Sequence, residues 1–325
     1  MVSPNPMVGC VIVHNGQIIG EGYHQQYGGP HAEVNAINAV VDHSLLKDST
    51  VYVTLEPCSH YGKTPPCATL LIQHGVKKVV IACLDPNPLV AGKGVKLLQD
   101  AGINIEIGLL EQEALELNKC FITYHTKKRP YIILKWAMSK DAYMSHPNTK
   151  QISGLEAQKL LHLWRSQEDA FVIGTNTLLI DNPQLNSRLV KGKNPIRIAI
   201  DFDLKSQNLP LHFYDQSQKT IVLNGIKESL DGTIEYLKIK NKAPETIVNC
   251  LYQKSIQSIV IEGGQHLLNS FINAGLYDEI RVFKSKHLIL NGGQLAPEHP
   301  ELNAVISDLE TDELWVYQNT NPKPA

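Results

Sequence analysis

Short apolar runs rich in β-branched residues alternate with stretches of helical spacing along this 325-residue chain, and no other feature limits its fold so tightly. Val8 to Val13 (VGCVIV) and Gln17 to Tyr23 flank an Asn15-Gly16 turn signal, which predicts a hairpin. Helical spacing begins near His31 and carries Val34, Ile37, Ala39, Val40 and Val41 towards Asp42. Thr50 to Thr54 reads as a strand and Cys67 to His74 as a helix stopped by Gly75. Val76 to Cys83 reads as a buried strand, Gly94 to Ala101 as a helix closed by Gly102, and Ile103 to Ile107 as another strand. Such a succession predicts an α/β architecture, a mainly parallel sheet with helices on both faces.

A basic stretch ending in proline, His125 to Pro130 (HTKKRP), interrupts the pattern, and a new apolar strand, Tyr131 to Met138 (YIILKWAM), follows it. The chain is too long for one ordinary core, so we expect two domains, residues 1–126 and 127–325. The second part again alternates. A helix is expected from Leu155 to Ser166, strands at Ala170 to Gly174, Ile196 to Asp201 and Thr220 to Leu223, and a helix around Thr246 to Lys254. A strand at Ser258 to Glu262, a helix at Gln265 to Ala274, and strands at Glu279 to Lys284 and Glu313 to Gln318 complete the series. No internal repeat relates the halves, which points to a fusion of two different α/β domains.

Composition narrows the function classes. The formal net charge is −2 and the longest basic run is Lys127-Lys128-Arg129, so no electrostatic footprint for nucleic acid is present and a small-molecule partner is favoured. No apolar run reaches membrane-spanning length, and MVSPNPMVGC lacks the basic flank and unbroken apolar core of a signal peptide, which points to the cytoplasm. In that compartment six cysteines are metal ligands or inert buried thiols rather than a disulfide framework.

Two of those cysteines carry the chemistry. Cys58 and Cys67 each follow a proline, and Pro30-His31-Ala32-Glu33 lies upstream of both. One imidazole and two thiolates make a three-ligand zinc set with the fourth tetrahedral position open, the catalytic pattern. His31 and Glu33, two residues apart, diverge in mid-helix but converge around the axis at a first turn, and Pro30 marks such a start. Each cysteine is read as preceding or opening a helix, where the dipole lowers a thiol pKa. Glu33 is then the group that takes and returns a proton. Zinc deaminases carry H-x-E followed by P-C-x-x-C. Here H-A-E and P-C are present, but eight residues instead of two separate the cysteines.

PNPMVGCVIV, EGYH, PHAEV, TLEPCSHYGKTPPC and DPNPLVAGKG, in this order, resemble the deaminase half of the bifunctional riboflavin biosynthesis deaminase–reductases. The resemblance covers nearly the whole chain, strongest up to about Gly108. It implies a cytidine-deaminase-like three-layer α/β/α domain followed by a dihydrofolate-reductase-like α/β domain. In that family the longer cysteine spacing is normal. The implied substrate is 2,5-diamino-6-ribosylamino-4(3H)-pyrimidinone 5′-phosphate, which loses its 2-amino group as ammonia. Carried over residue by residue, Asn5, His24, His60, Lys63 and Asn87 become candidate substrate contacts. The family usually carries about a helix's worth of residues ahead of PNP, whereas this chain starts almost on it: the start is truncated or that helix is dispensable.

In the second half, Ile259 to Glu262 followed by Gly263-Gly264 and a helix offers free backbone N–H groups to a pyrophosphate. The resemblance implies NADPH-dependent reduction of the ribosylamino group to ribitylamino. It places Lys135, Asp181, Leu185, Arg188 and Glu262 on the substrate side, and Ala137, Thr177, Gly263, Gly264, Gln265, His266 and Leu267 on the cofactor side. Arg188 and Lys135 suit phosphate or sugar hydroxyls by their chemistry. Two departures stand out: the family's S-x-D-G is Ser139-Lys140-Asp141-Ala142 here, and its tryptophan before the next helix is missing from Lys150-Gln151-Ile152-Ser153. Trp136 and Trp164 read as core. The expected cofactors are one zinc per chain and NADPH, and the expected assembly is a homo-oligomer, a dimer or tetramer. A deaminase whose C-terminal half has lost reduction, a nucleic-acid-editing deaminase, and a structural zinc protein with a fourth protein ligand remain the alternatives.

Overall fold

The computed structural model describes residues 2–60, 65–87, 90–149, 151–298 and 303–324, and the chain divides into two compact units, Met1–Thr126 and Lys127–Ala325. In the first unit, strands β1 (Gly9–His14) and β2 (Gln17–Tyr23) are joined by Asn15 and Gly16, both at positive φ, the geometry a two-residue hairpin turn demands. Helix α1 (Ala32–Asn38), β3 (Thr50–Leu55), α2 (Cys67–Gln73), β4 (Lys78–Cys83), α3 (Lys93–Asp100), β5 (Asn104–Ile107), α4 (Glu111–Leu117) and α5 (Lys119–Lys127) follow. The described strands form one sheet in the order β2-β1-β3-β4-β5. Only β3–β4 and β4–β5 pair in parallel; the hairpin enters antiparallel to β3, so the sheet is mixed where mainly parallel pairing was expected. Helices α1, α2 and α3 pack on the sheet face that presents Ile12, Val51, Val79 and Ile81; α4 and α5 meet the other face through Ala114 and Phe121, giving three layers.

The alternation expected from Val34 to Val41 is cut short. Helix α1 stops at Asn38, and a 3-10 turn at His43–Asp48 begins where Asp42 caps Ser44. Val41 is fully exposed. Helix α1 lies so close to β2 that a Cβ on Gly20 or Gly22 would come within 2.4 Å of the Ala36 backbone. Glycine there lets the helix approach the hairpin backbone, and that approach sets where His31 sits.

The second unit holds β6 (Tyr131–Met138), β7 (Tyr143–Ser145), α6 (Leu155–Gln167), β8 (Ala170–Gly174), α7 (Thr175–Asp181), β9 (Ile196–Ile200), β10 (Thr220–Asn224), β11 (Ser229–Asp231) and β12 (Ile234–Lys238). It continues with α8 (Pro244–Gln253), β13 (Ser258–Gly263), α9 (Gln265–Ala274), β14 (Glu279–Ser285), β15 (Gln294–Leu295), β16 (Ala304–Asp308) and β17 (Asp312–Gln318). Its main sheet runs β11-β12-β10-β9-β8-β13-β6-β14-β17-β16, parallel from β12 to β14 and antiparallel at both edges. The central strands read as continuous apolar runs because both faces are covered. Arg129, from the one basic triplet in the sequence, is fully buried and grips Asp278 with both terminal nitrogens, at 2.5 and 2.8 Å. No helix among the described residues is long and apolar enough to cross a membrane.

Candidate active sites

In the first unit, His31 is the N-cap of α1, in extended conformation, and its side chain makes no capping hydrogen bond to the helix. Cys67 is the first residue of α2, fully buried. Cys58 sits in the loop after β3 rather than at a helix start; its sulfur reaches one by accepting the Cys67 N–H at 3.3 Å. His31 Nδ1 lies 3.5 Å from Cys58 Sγ and 3.2 Å from Cys67 Sγ, and the three ligand atoms all fall within 4.8 Å of one another. Tetrahedral zinc with ordinary Zn–N and Zn–S bonds separates an N and an S ligand by about 3.6 Å, so the cluster fits the ion closely. Among the described residues the cluster has three members, which leaves room for a non-protein ligand. None of the six cysteines is joined in a disulfide.

The charges respond to this crowding. Cys58 is pushed down to about 4 by its hydrogen bonds with Cys67, and Cys67 is pushed up by that same interaction and by burial. The hydrogen bond with Cys58 raises the His31 imidazole. Glu33 is 3% exposed in the first turn of α1, and burial lifts its carboxyl to about 7, with Cys58 adding to the rise and His31 and Cys67 opposing it. A carboxyl poised there exchanges protons readily near neutral pH.

Around the cluster, His24 lies edge-on to His31, ring centroids 5.5 Å apart. Its Nδ1 is 2.9 Å from the Pro30 carbonyl, an acceptor, so Nδ1 carries the proton and Nε2 accepts from Asn5 Nδ2 at 3.0 Å. Both nitrogens of His24 are therefore engaged within the protein. His60 is exposed and acts electrostatically on Asp85, whose carboxyl burial raises to about 6. Asn87 donates its backbone N–H to Asp85 at 2.8 Å. Lys63 lies outside the described residues. A hollow of about 790 Å³ on the opposite sheet face, lined in part by Val11, Tyr52, Thr54 and Ala82, includes none of these groups.

In the second unit, Glu262 at the end of β13 bridges two buried cations. Lys135 Nζ on β6 lies 3.3 Å from Oε1, and Arg165 Nη2 on α6 lies 2.9 Å from Oε2. Burial lowers the Lys135 ammonium, which Glu262 partly restores, while Arg165 and Lys135 hold the Glu262 carboxyl below its ordinary range against burial. His162, one helical turn before Arg165, is 2% exposed, with no partner for Nδ1 among the described residues. Burial, then Arg165 and Arg188, push it down to about 4. Arg188 itself is exposed and donates to Asn186 Oδ1 at 3.0 Å. Leu185 is buried, at positive φ, and Asp181 closes α7, its carboxyl raised by desolvation.

Gly263 ends β13 at φ +123°, a conformation side chains rarely adopt, and Gly264 is the N-cap of α9. A Cβ added to Gly264 would meet Thr177 Oγ1 at 3.4 Å, which brings the first turn of α7 close to the start of α9. Gln265 and His266 follow, with the unpaired N–H groups of any helix start; Leu267 turns into the core, and Ala137 is half-buried near the end of β6.

Two family models match the chain: the RibD C-terminal domain over residues 130–304, and the cytidine and deoxycytidylate deaminase zinc-binding region over residues 2–83. A riboflavin biosynthesis protein RibD from Aquifex aeolicus is 40% identical over 297 residues, spanning 89% of this chain and 83% of that protein. The chain belongs to the RibD family. The RibD of Escherichia coli is 39% identical over 88% of this chain and 83% of its own length. Among solved structures, a diaminohydroxyphosphoribosylaminopyrimidine deaminase/5-amino-6-(5-phosphoribosylamino)uracil reductase from Thermotoga maritima superposes with a TM-score of 0.89 at 34% identity, covering 98% of this chain and 93% of that one. An Acinetobacter baumannii RibD gives 0.84 at 34% identity, covering 98% and 94%.

As a RibD protein, the chain is a bifunctional deaminase and reductase of riboflavin biosynthesis, a cytidine-deaminase-like zinc domain joined to a RibD reductase domain. Zinc held by His31, Cys58 and Cys67 would lower the pKa of a coordinated water towards about 7 and supply a nucleophile at neutral pH. The sequence reading missed two members of the reductase cluster, Arg165 and His162. Their signal was present in LHLWRSQ, two basic residues three apart on one face of α6, but a cation on a helix is usually a solvated one. Trp136 and Trp164 are both buried, Trp164 stacked on Phe283 at 5.2 Å.

Proposed function

We propose that the first unit deaminates 2,5-diamino-6-ribosylamino-4(3H)-pyrimidinone 5′-phosphate at the His31–Cys58–Cys67 centre, with Glu33 as the proton carrier. The observation that carries this reading is the convergence of three ligand atoms beside a buried carboxyl that burial has lifted to about 7. Glu33 accepts the proton of the attacking water and delivers it to the departing amine. Asn5 and Asn87 contact the pyrimidine and ribose; His24, with both nitrogens engaged, acts by orienting Asn5. His60 and Lys63 serve the phosphate end.

The second unit then reduces the ribosylamino group to ribitylamino, and NADPH supplies the hydride. Gly263 to Leu267, with Thr177 and Ala137, hold the cofactor, the helix-start N–H groups facing its phosphates. Lys135 and Arg188 grip the substrate's phosphate and hydroxyls, Asp181 and Leu185 lie along the same side, and Glu262 fixes Lys135 in place. The assembly is a homo-oligomer, a dimer or tetramer, in the cytoplasm.

The test supplies the diaminopyrimidine substrate with and without NADPH and identifies the products by mass. Glu33→Ala is expected to abolish ammonia release while NADPH oxidation on the deaminated intermediate continues. Full ammonia release from Glu33→Ala would remove Glu33 from the mechanism, and absence of NADPH oxidation by the wild-type chain would leave a deaminase alone.

A further inference from the structure

We propose that Glu56 is a positioning residue of the deaminase centre: one side chain that locks the Pro57–Cys58 step and the segment bearing Asp85 and Asn87 into a single rigid piece. The proposal rests on Cys58 as a zinc ligand and Asn87 as a substrate contact.

Glu56 follows β3 and is 3% exposed, and its backbone N–H donates to the Cys83 carbonyl at 3.0 Å, tying it to the end of β4. Its two carboxylate oxygens accept four backbone N–H groups. Oε1 takes Gly94 at 2.9 Å and Val95 at 3.2 Å; Oε2 takes Gly92 at 2.9 Å and Asp85 at 3.3 Å. Gly92 is the N-cap of α3 and has no side chain to cap with, and the first turn of α3 contains no acidic residue. Glu56 thus caps α3 from 36 residues away and neutralises the positive end of its dipole.

The same geometry reaches the metal ligand. A Cβ on Gly94 would lie 2.0 Å from the Pro57 carbonyl oxygen, so α3 touches the Pro57 backbone directly, one residue before Cys58. At the other end of the clasp, Asp85 both donates its N–H to Glu56 and accepts that of Asn87. The four groups that Glu56 accepts are backbone N–H groups, so it acts through the backbone that carries Cys58 and Asn87.

The full chain with Glu56→Gln tests this. Whichever way the amide turns, its NH2 faces two N–H donors, so two of the four bonds become donor–donor contacts. We expect weaker amide-exchange protection at Gly92, Gly94 and Val95, and a zinc affinity about 10–100-fold lower by chelator competition. At saturating zinc the deaminase KM should rise about tenfold with kcat changed less than about threefold, while NADPH oxidation stays at the wild-type rate. Zinc affinity and KM both within about twofold of wild type would overturn the proposal, as would a fall in kcat with KM and zinc affinity unmoved. If Glu56→Gln does not fold, Gly94→Ala forces the Pro57 carbonyl away without altering charge; zinc affinity and KM should respond in the same direction, and no response overturns the proposal. Wild-type ammonia release in the same run tests the deaminase reading, whereas the variant-to-wild-type ratio tests Glu56.

Discussion

Replacing Glu262 by glutamine tests the electrostatic design of the buried ion cluster in the reductase domain. Glu262 faces Lys135 at 3.3 Å and Arg165 at 2.9 Å, all three nearly buried. With an effective dielectric near 20, each contact is worth about 5–6 kcal/mol of Coulomb attraction, most of which offsets the cost of taking three charges out of water. Removing the shared anion leaves two buried cations side by side, and the expected net loss is about 3–5 kcal/mol. Lys135 also loses the one interaction that raises its pKa against burial and Arg165, so the ammonium deprotonates at lower pH. All three tryptophans, Trp136, Trp164 and Trp315, belong to the second unit, so their fluorescence follows its unfolding in urea. In parallel, kcat/KM for NADPH oxidation is measured against pH. The alkaline limb of that profile should move to lower pH in Glu262→Gln while ammonia release keeps its wild-type profile. An alkaline limb that coincides with wild type, or a stability loss below about 1 kcal/mol, would refute the assignment of Glu262 as the partner that keeps Lys135 charged.

Three further outcomes are expected. Chelating the metal should stop ammonia release and leave both NADPH oxidation and the tryptophan unfolding transition intact, with one zinc per chain restoring the first; metal analysis and the two assays check this. His162 is held down to about 4 in the folded chain, so its stabilising contribution is complete above its unfolded pKa of about 6.5 and is lost as pH falls through about 4. Between pH 7 and 5 the wild-type second unit should lose about 1–2 kcal/mol more than His162→Gln, and equal losses in urea titrations would argue against a buried neutral imidazole. Ala142 sits at φ +67°, a left-handed conformation that favours glycine, so Ala142→Gly should raise the urea midpoint by about 0.5–1 kcal/mol of stability.

Much of the fold could be read from periodicity because each unit buries its strands in the way that periodicity reports. Lys78–Cys83 and Ser258–Gly263 are central strands covered on both faces, and both stand out as apolar runs. The helices of the first unit's second layer did not. In Glu111–Leu117 only Ala114 is buried, and in Lys119–Lys127 only Phe121 and Thr123, so neither carries a full apolar stripe. The short strand Ile234–Lys238 escaped notice for another reason: it extends the parallel sheet at β10 through backbone pairing, and no local turn chemistry announces that partner.

The active sites divide along the same line. His31, Cys58 and Cys67, which the structure gathers within 4.8 Å, are legible because zinc chemistry demands particular side chains, and a demand for residue types leaves a mark in the sequence. Arg129 and Glu56 meet a different demand. Arg129 lies in the basic triplet that marks the boundary between the two units, and it is fully buried against Asp278; a charge count is blind to a partner 149 residues away. Glu56 stands inside TLEPC, two residues from a ligand, and its four partners are backbone N–H groups of Asp85, Gly92, Gly94 and Val95. A backbone donor has no residue type, so nothing in that segment signals the carboxylate it needs except a glycine where a helix cap would otherwise stand. Gly92 supplies that trace. A helix start without its own capping side chain, beside a metal-ligand segment that contains an acid with no assigned chemistry, is therefore evidence that the acid serves as the cap.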